Sequence, residues 1–188
     1  ELAQKNASMV LRQDLERNQR DEMRTIGAMN EVASWLGLTG VRRMAYDDAA
    51  AQGLIQVMGR ETDDRFMAHV MAMVNDRQSM AQVADTFKMV YTPFHGCGWQ
   101  LVPEALRGLG VKHLYCVKEQ MVLDGNFPTV ASPNPENPEG FYLAIELADK
   151  VGADFILGTD PDSDRVGIMV RGADGKFIPV TGNQTGVL

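Results

Sequence analysis

The sequence has little cysteine, no surplus of basic residues and no long apolar run, and each shortage excludes a class of protein. Two cysteines, Cys97 and Cys116, in 188 residues indicate free thiols in a reducing compartment, so we expect a cytoplasmic protein. Asp and Glu outnumber Lys and Arg by 25 to 18, which argues against a nucleic-acid partner. No segment reaches the ~18 consecutive apolar residues of a membrane-spanning helix, and the start lacks a secretory signal. We therefore expect small solutes as partners, with no nucleic acid and no membrane.

The residues that are present suffice for a folded domain. With 188 residues and 45% hydrophobic content, the chain can bury a core and can form one domain with an appendage. The sequence begins at Glu1 rather than methionine and ends in TGNQTGVL, so we expect a piece of a longer protein.

Residues 1 to 86 have the pattern of a helical N-terminal segment. Apolar residues at spacings of three and four predict one amphipathic helix over residues 8 to 36, which ends near Gly37. A second helix is predicted to start near Thr62, whose hydroxyl can cap it. Its buried stripe is predicted to be Phe66, Val70 and Met73. The SMAQ sequence predicts a third helix that begins with a capping box of Ser79 and Gln82.

Residues 87 to 181 alternate between short apolar runs and helical patterns. The runs at 87–94, 111–118 and 154–160 predict strands, and the segments between them predict helices. A turn at GADG then joins two further strands into a hairpin. The predicted fold class is α/β, a wound and mostly parallel sheet with an antiparallel hairpin.

The stretch GTDPDSDRVGI, residues 158 to 168, places Asp160, Asp162 and Asp164 at alternate positions. Three carboxylates this close repel one another unless a cation lies among them. An all-oxygen set favours a hard divalent cation, Mg2+ before Mn2+ or Ca2+. The stretch follows a predicted strand at the carboxyl edge of the sheet, where α/β proteins bind ligands. The sequence therefore predicts a metal site.

Three alternatives exist for this stretch. An EF-hand requires Gly at its sixth position and Glu at its twelfth, whereas this sequence has Arg165 and Arg171 there. Aspartyl-phosphate hydrolases of the haloacid dehalogenase type share the Asp-x-Asp pair but usually carry Thr or Val in place of Asp164. A solvated acidic turn without a ligand is the third alternative.

Arg165 directly follows the three aspartates. A guanidinium beside a metal-bound carboxylate can donate directional hydrogen bonds to a phosphate that contacts the same metal. A salt bridge to one of the loop's own aspartates is the structural alternative. The combination of metal and arginine suggests phosphoryl chemistry, with Arg165 as the candidate catalytic residue.

Four segments resemble, in the same order, the second domain and the start of the third domain of the α-D-phosphohexomutases. They are YTPFHGCG at 91–98, DGNFPTVASPNPENPEG at 124–140, GTDPDSDRVGI at 158–168 and TGNQTGVL at 181–188. The second and fourth segments are most similar in sequence to the family branch that contains the bacterial phosphoglucomutases and phosphopentomutases. By this resemblance residues 87–181 form the metal-binding domain and residues 182–188 begin a truncated third domain.

The resemblance implies a reaction and roles for residues. In that family four α/β domains surround a cleft, and a phosphoserine exchanges a phosphoryl group with a sugar phosphate. Asp160, Asp162 and Asp164 would hold the Mg2+ that contacts the serine phosphate, and Arg165 would lie against the transferred group. The implied function is a Mg-dependent intramolecular phosphotransferase of the phosphoglucomutase type.

The sequence also departs from the family pattern. The serine loop of the family, Thr-Ala-Ser-His-Asn-Pro, has no match in residues 1 to 90, so we expect the isolated chain to be inactive. Ser132 is a poor substitute, because Pro133 takes the place of the histidine that follows the serine. Residues 53–80 weakly resemble the link between the first two domains, and residues 1–52 resemble nothing known to us.

Two residues of the FHGCG sequence are expected to shape a loop near the site. His95 should fasten this loop and Gly96 should permit its turn. Cys97 could be a thiolate nucleophile, but the sequence offers no third group to orient it.

Two other functions are possible besides the mutase fragment. They are a non-catalytic metal or phosphate-binding module and a stand-alone phosphatase with Asp160 as nucleophile. A sugar phosphate is the expected partner of the full-length enzyme, and exposed domain faces could lead to self-association.

Overall fold

The computed structural model of this chain describes residues 44 to 187. The chain divides into two units, Glu1–Val57 and Met58–Leu188. The described part of the first unit contains the short helix α1, Tyr46–Ala51. The amphipathic helix predicted over residues 8 to 36, with its end near Gly37, lies outside the described residues.

The second unit contains the sheet and the helices that connect its strands. Its strands are β1 Lys88–Thr92, β2 His113–Cys116, β3 Phe155–Thr159, β4 Val166–Arg171 and β5 Phe177–Val180. Its helices are α2 Arg60–Ala72, α3 Arg77–Val83, α4 Leu101–Leu109, α5 Tyr142–Val151 and α6 Gly182–Thr185. Short 3-10 turns occur at Cys97–Trp99, Lys118–Gln120 and Pro138–Phe141.

The five strands form one sheet in the order β2-β1-β3-β4-β5. Strand β1 pairs in parallel with both β2 and β3, whereas β4 is antiparallel to β3 and to β5. Four strands therefore run in one direction and only β4 runs in the other. This arrangement confirms the predicted α/β fold class, including the hairpin.

The crossover helices explain the winding of the parallel part. Helix α4 leads from β1 outward to β2, and α5 leads from β2 back across β1 to β3. Because parallel crossovers are right-handed, these two helices lie on opposite faces of the sheet. Each ends at a glycine with positive φ, Gly110 at 112° and Gly152 at 68°, so the chain can turn sharply into the next strand.

The core lies between the centre of the sheet and α5. Its buried residues are Val90, Phe94, Val117, Val130, Phe141, Ala144, Ala148, Ala153, Ile156 and Met169. The rings of Phe94 and Phe141 meet edge to face with centroids 5.0 Å apart. A side chain at Gly158 would collide with the Phe141 ring, so β3 needs glycine at this position.

The predicted cap of α2 is wrong, and so is its predicted buried stripe except for Val70, which is half-buried. The helix begins at Arg60 after Gly59, and Thr62 lies inside its first turn. Phe66 is 54% exposed and Met73 79% exposed, whereas Met67 is buried. The helix packs against α4, and the Arg60 guanidinium binds Glu104 of that helix.

The capping box predicted for α3 is also wrong. The N-cap is Asp76, whose carboxylate accepts a hydrogen bond of 2.9 Å from the Ser79 backbone N–H. Ser79 is therefore the residue that is capped, three positions after the cap. Among the helices in the described range, none is long and apolar enough to cross a membrane.

Candidate functional site

The three aspartates lie in the loop between β3 and β4. The last ladder pair is Thr159 with Val166, and the Asp160 N–H donates to the Arg165 carbonyl across the loop at 3.3 Å. Ser163 has a φ of 62°, a left-handed conformation that is uncommon outside glycine and that lets the chain reverse. The strand pairing therefore confines three carboxylates to a six-residue turn, residues 160 to 165.

The carboxylates of Asp160, Asp162 and Asp164 converge in space. One oxygen from each lies within 4.8 Å of the others. Asp160 is 1% exposed at the base of the loop, whereas Asp162 and Asp164 face solvent. The cluster therefore joins one buried acid to two accessible ones.

Arg165 binds both oxygens of Asp160. Its backbone N–H donates to Oδ1 at 3.0 Å and its Nε donates to Oδ2 at 2.8 Å. The side chain is 49% exposed, and its terminal amines donate no hydrogen bond to any residue between 44 and 187. The guanidinium is thus anchored by one nitrogen and retains donors for a further acceptor.

The loop's charges shift the pKa of its members in opposite directions. Burial acts to raise the pKa of Asp160, but the hydrogen bonds from the Arg165 backbone and side chain outweigh it and lower that pKa. The hydrogen bond with Asp160 and the charge of Asp162 raise the pKa of Asp164. Negative charge at this loop is therefore only partly neutralised by the protein.

A second loop, residues 93 to 98 after β1, lies directly against the acidic turn. The Cys97 N–H donates to the Pro161 carbonyl at 2.8 Å. A Cβ at Gly96 would collide with the Pro161 backbone, and one at Gly98 would lie 2.5 Å from the Tyr91 hydroxyl and 2.7 Å from the Ser163 hydroxyl. Both glycines are needed because the two loops approach so closely.

His95 lies in the loop after β1, where the sequence predicts it, and is 4% exposed. Its Nδ1 is 2.9 Å from the Val122 carbonyl, and its Nε2 is 2.9 Å from the Thr129 hydroxyl. Both ring nitrogens are therefore occupied by protein partners. Gly96, the other residue predicted to shape this loop, packs on the Pro161 backbone.

The two nucleophiles weighed from the sequence have ordinary surroundings. The Ser132 hydroxyl accepts a hydrogen bond of 3.0 Å from Asn137, and none of the described histidines binds it. The Cys97 sulfur is exposed and lies 3.7 Å from the Ser163 hydroxyl, at the rim of the acidic turn. Among the described residues, no base of the kind that nucleophilic catalysis requires binds either group.

Sequence reasoning missed three residues around these loops. Gln120 is fully buried and Thr129 contacts both Gln120 and His95. Glu136 adds negative charge near Arg165. Thr129 and Glu136 belong to a segment that resembles a family motif, whereas nothing in the local sequence around Gln120 distinguishes it.

The donor set fits a hard divalent cation. Three carboxylate oxygens converge, two of the acids are accessible, and the pKa of Asp164 is raised by the acids around it. Oxygen ligands of this kind suit Mg2+ better than softer metals.

The fold and the loops define a wound α/β domain with an acidic turn at the edge of the sheet, directly after the central strand β3. Such an edge is the usual ligand site of this class of fold, because the loops after two adjacent strands meet there. In this chain those strands are β1 and β3.

Known proteins are similar to this chain over more than half of its length. The family model of phosphoglucomutase/phosphomannomutase, alpha/beta/alpha domain II, matches residues 64–175. A phosphoglucomutase of Staphylococcus epidermidis is 43% identical over 101 residues, 54% of this chain and 18% of the relative. One of Staphylococcus saprophyticus is 37% identical over 136 residues, 72% of this chain and 24% of the relative. A phosphoglucomutase/phosphomannomutase family crystal structure from Burkholderia thailandensis aligns with a TM-score of 0.46 and 24% identity, covering 62% of this chain and 22% of that one.

This chain belongs to the phosphoglucomutase/phosphomannomutase family, because the family's domain II model matches more than half of it. It spans a quarter or less of the length of the curated relatives described above.

Proposed function

We propose that this chain is the metal-binding domain of a Mg-dependent phosphosugar mutase. Asp160, Asp162 and Asp164 hold the Mg2+, and Arg165 binds a phosphoryl group beside it. The observation that carries the proposal is the convergence of three carboxylates within 4.8 Å in a member of this family. The proposed substrates of the whole enzyme are hexose phosphates such as glucose 1-phosphate and glucose 6-phosphate.

The chain's own groups suit this role. A bound divalent cation would supply the positive charge that phosphoryl transfer needs. Arg165 uses its Nε to hold Asp160, so its terminal amines can donate to phosphoryl oxygens without a change in that contact. The buried Asp160 fixes the base of the site, and the accessible Asp162 and Asp164 complete it.

The phosphoryl donor of the family, a serine in its own loop, has no counterpart in the first 90 residues. We therefore propose that this chain binds the ion but does not turn over glucose 1-phosphate alone. Binding without turnover also fits a non-catalytic metal or phosphate-binding module, which is the second candidate function.

A phosphatase that uses Asp160 as nucleophile is disfavoured by the contacts of this residue. Both of its oxygens accept hydrogen bonds from Arg165, and the side chain is 1% exposed. A nucleophilic carboxylate needs one oxygen directed at the substrate. Beryllofluoride treatment should therefore leave Asp160 without an adduct.

The direct test is calorimetric titration of the folded chain with Mg2+ and Mn2+. We expect saturable uptake by the native chain and none after Asp160, Asp162 and Asp164 are all replaced by asparagine. No uptake by the native chain would reject the metal site. Conversion of glucose 1-phosphate, with Mg2+ and a trace of glucose 1,6-bisphosphate, would reject the proposed inactivity.

The proposal extends to location and assembly. Cys97 and Cys116 are both free thiols, which supports a cytoplasmic protein. Val166, Val170 and Ile178 expose apolar surface on the hairpin strands, which supports self-association. Sedimentation velocity over a range of protein concentrations tests this assembly.

A further inference from the structure

The loop that contacts the acidic turn is held on its other side by His95. Within residues 44 to 187 this residue makes four hydrogen bonds, and all four join it to residues 120 to 129. Its N–H donates to the Gln120 carbonyl at 3.0 Å, and its carbonyl accepts from the Asp124 N–H at 3.4 Å. Its two ring nitrogens bind the Val122 carbonyl and the Thr129 hydroxyl, each at 2.9 Å.

The donors in this network follow a single direction. Because Val122 offers a carbonyl, Nδ1 of His95 carries the proton and Nε2 accepts from the Thr129 hydroxyl. The Thr129 oxygen in turn accepts from Gln120 Nε2 at 3.0 Å. Gln120 Oε1 accepts from the Thr92 hydroxyl. Each donor therefore has one acceptor, and loss of a single hydroxyl leaves two groups without partners.

The network holds a strained piece of backbone. Phe94 and His95 both have positive φ, at 45° and 66°, which costs free energy in residues other than glycine. Such conformations persist only where the surroundings fix them. Thr92 and Gln120 are fully buried, His95 is nearly so and Thr129 is half-buried, so that most of the network is shielded from water.

The held turn leads straight to the acidic loop. Two residues beyond His95, the Cys97 N–H donates to the Pro161 carbonyl, and Gly96 packs on the Pro161 backbone. Pro161 lies between Asp160 and Asp162. A shift of the turn at His95 must therefore move the backbone that carries these two carboxylates.

We infer that Thr129 and His95 are positioning residues of the acidic loop, although neither touches a carboxylate of the cluster. Thr129 fixes the His95 ring, His95 fixes the turn at residues 94 to 98, and this turn fixes Pro161. The effect of these two residues on the geometry of the acidic loop follows from the contacts described above. The consequence for divalent-ion affinity rests on the proposed function.

The test uses two substitutions at one position in the full chain. Thr129→Val keeps the shape but removes the hydroxyl, so that Gln120 Nε2 and His95 Nε2 both lose their partner. Thr129→Ser keeps the hydroxyl and is the matched control. Ala148→Gly, in the buried face of α5, controls for a general loss of stability.

The first measurement is amide hydrogen exchange by NMR without any metal. In Thr129→Val we expect the amides of Cys97, Ser163 and Arg165 to exchange about tenfold faster than in the native chain, because one buried hydrogen-bond chain is broken. In Thr129→Ser these rates should stay native. Unchanged rates for Cys97 and Arg165 in Thr129→Val would overturn the inference. So would a uniform rise at all amides equal to that of Ala148→Gly.

The second measurement is calorimetric titration with Mn2+. We expect affinity about tenfold weaker in Thr129→Val and native affinity in Thr129→Ser and Ala148→Gly. Native affinity in Thr129→Val would overturn the link to the ion. If the native chain itself takes up no Mn2+ while the exchange rates change as expected, the proposed function fails and the positioning of the loop stands.

Discussion

Two arginines lie at opposite ends of β4 and both bind carboxylates, but they use their donors differently. Arg165 immediately precedes the strand, and of its guanidinium nitrogens only Nε donates a hydrogen bond to Asp160. Arg171 ends the strand and uses all three nitrogens of its guanidinium. Side-chain exposure follows the same division, at 49% for Arg165 and 21% for Arg171.

The contacts of Arg171 join the hairpin to α5 and the start of β3. Nη1 donates to Asp149 at 2.8 Å and to the Gly175 carbonyl at 2.9 Å, and Nη2 donates to the Ala153 carbonyl at 2.9 Å. The guanidinium also lies 4.3 Å from the centre of the Phe177 ring. Arg171, with all three guanidinium nitrogens engaged, stabilises the fold, whereas Arg165, with two terminal amines that are free of partners in the described range, can also bind a ligand.

The largest expected difference between the two ends of β4 concerns divalent ions. Replacement of Asp162 and Asp164 together by asparagine should weaken Mn2+ binding about a hundredfold, because two anionic ligands are lost. The matched control replaces Asp149 and Asp154, the two acids that pair with Arg171. Calorimetric titration of both double variants measures the difference. Equal weakening in the two would show that general negative charge, rather than the cluster, attracts the ion.

The second expected difference is in the free energy of unfolding and in how far a bound divalent ion restores it. Arg171→Ala should lower the free energy of unfolding by about 2 kcal/mol, since the Ala153 and Gly175 carbonyls lose a donor and Phe177 loses its cation. Arg165→Ala removes the positive charge beside buried Asp160, and a bound cation can replace that charge. Urea unfolding with and without saturating Mn2+ is the measurement.

In Arg165→Ala, Mn2+ should raise the free energy of unfolding by more than it does in the native chain. In Arg171→Ala the increase should equal that of the native chain. A larger increase in Arg171→Ala than in Arg165→Ala would contradict the division between the two arginines.

The division of roles was only partly predictable from the sequence. The strands and the spacing of Asp160, Asp162 and Asp164 depend on residues close in the chain, so periodicity and motif spacing located them. The ion pairs of Arg171 join it to acids 17 and 22 positions away, and no local pattern encodes such contacts.

The same reason explains the errors in the helical region. The buried position of α2, Met67, depends on how this helix packs against α4, where Arg60 binds Glu104, 44 residues away. The cap of α3 was misplaced because both Asp76 and Ser79 are good N-cap residues, and only the backbone conformation distinguishes them. The hydrogen bonds of Gln120 join the end of β1 to Thr129 in a later loop, and no local sequence pattern indicates them.

A third difference should appear in acid. The pKa of Asp160 is lowered from 3.8, so its ionised form stabilises the fold, and this contribution is lost as the pH falls below 3.8. Asp160→Asn keeps one acceptor oxygen, so we expect it to cost about 1 kcal/mol at neutral pH. The cost should shrink as the pH falls from neutral to below 3.8, because the native carboxylate then becomes protonated too.

Urea unfolding at several pH values between these limits tests the sign. The control is Asp149→Asn at the other end of β4, an acid that is 58% exposed. A cost of Asp160→Asn that grows as the pH falls would show that burial, rather than Arg165, decides which form of Asp160 is favoured.

The smallest expected effect is that of Asp164→Asn on stability, and its sign differs with and without a divalent cation. The hydrogen bond with Asp160 and the charge of Asp162 raise the pKa of Asp164 above 3.8. Ionisation of Asp164 therefore costs stability as the pH rises through its raised pKa, and below 3.8 the cost is absent. Without divalent ions, Asp164→Asn should slightly stabilise the chain at neutral pH and leave it unchanged in acid.

With saturating Mn2+ the same substitution should destabilise the chain, because the ion loses a ligand. Asp154→Asn, beside Arg171, removes an attractive pair and should destabilise slightly in both conditions. Thermal unfolding of the two variants with and without Mn2+ gives four values to compare. If the effect on stability changes sign only in Asp164→Asn, the close placement of Asp164 beside the other two acids serves ion binding. If Asp164→Asn loses stability without the ion, Asp164 stabilises the fold, as the acids at Arg171 do.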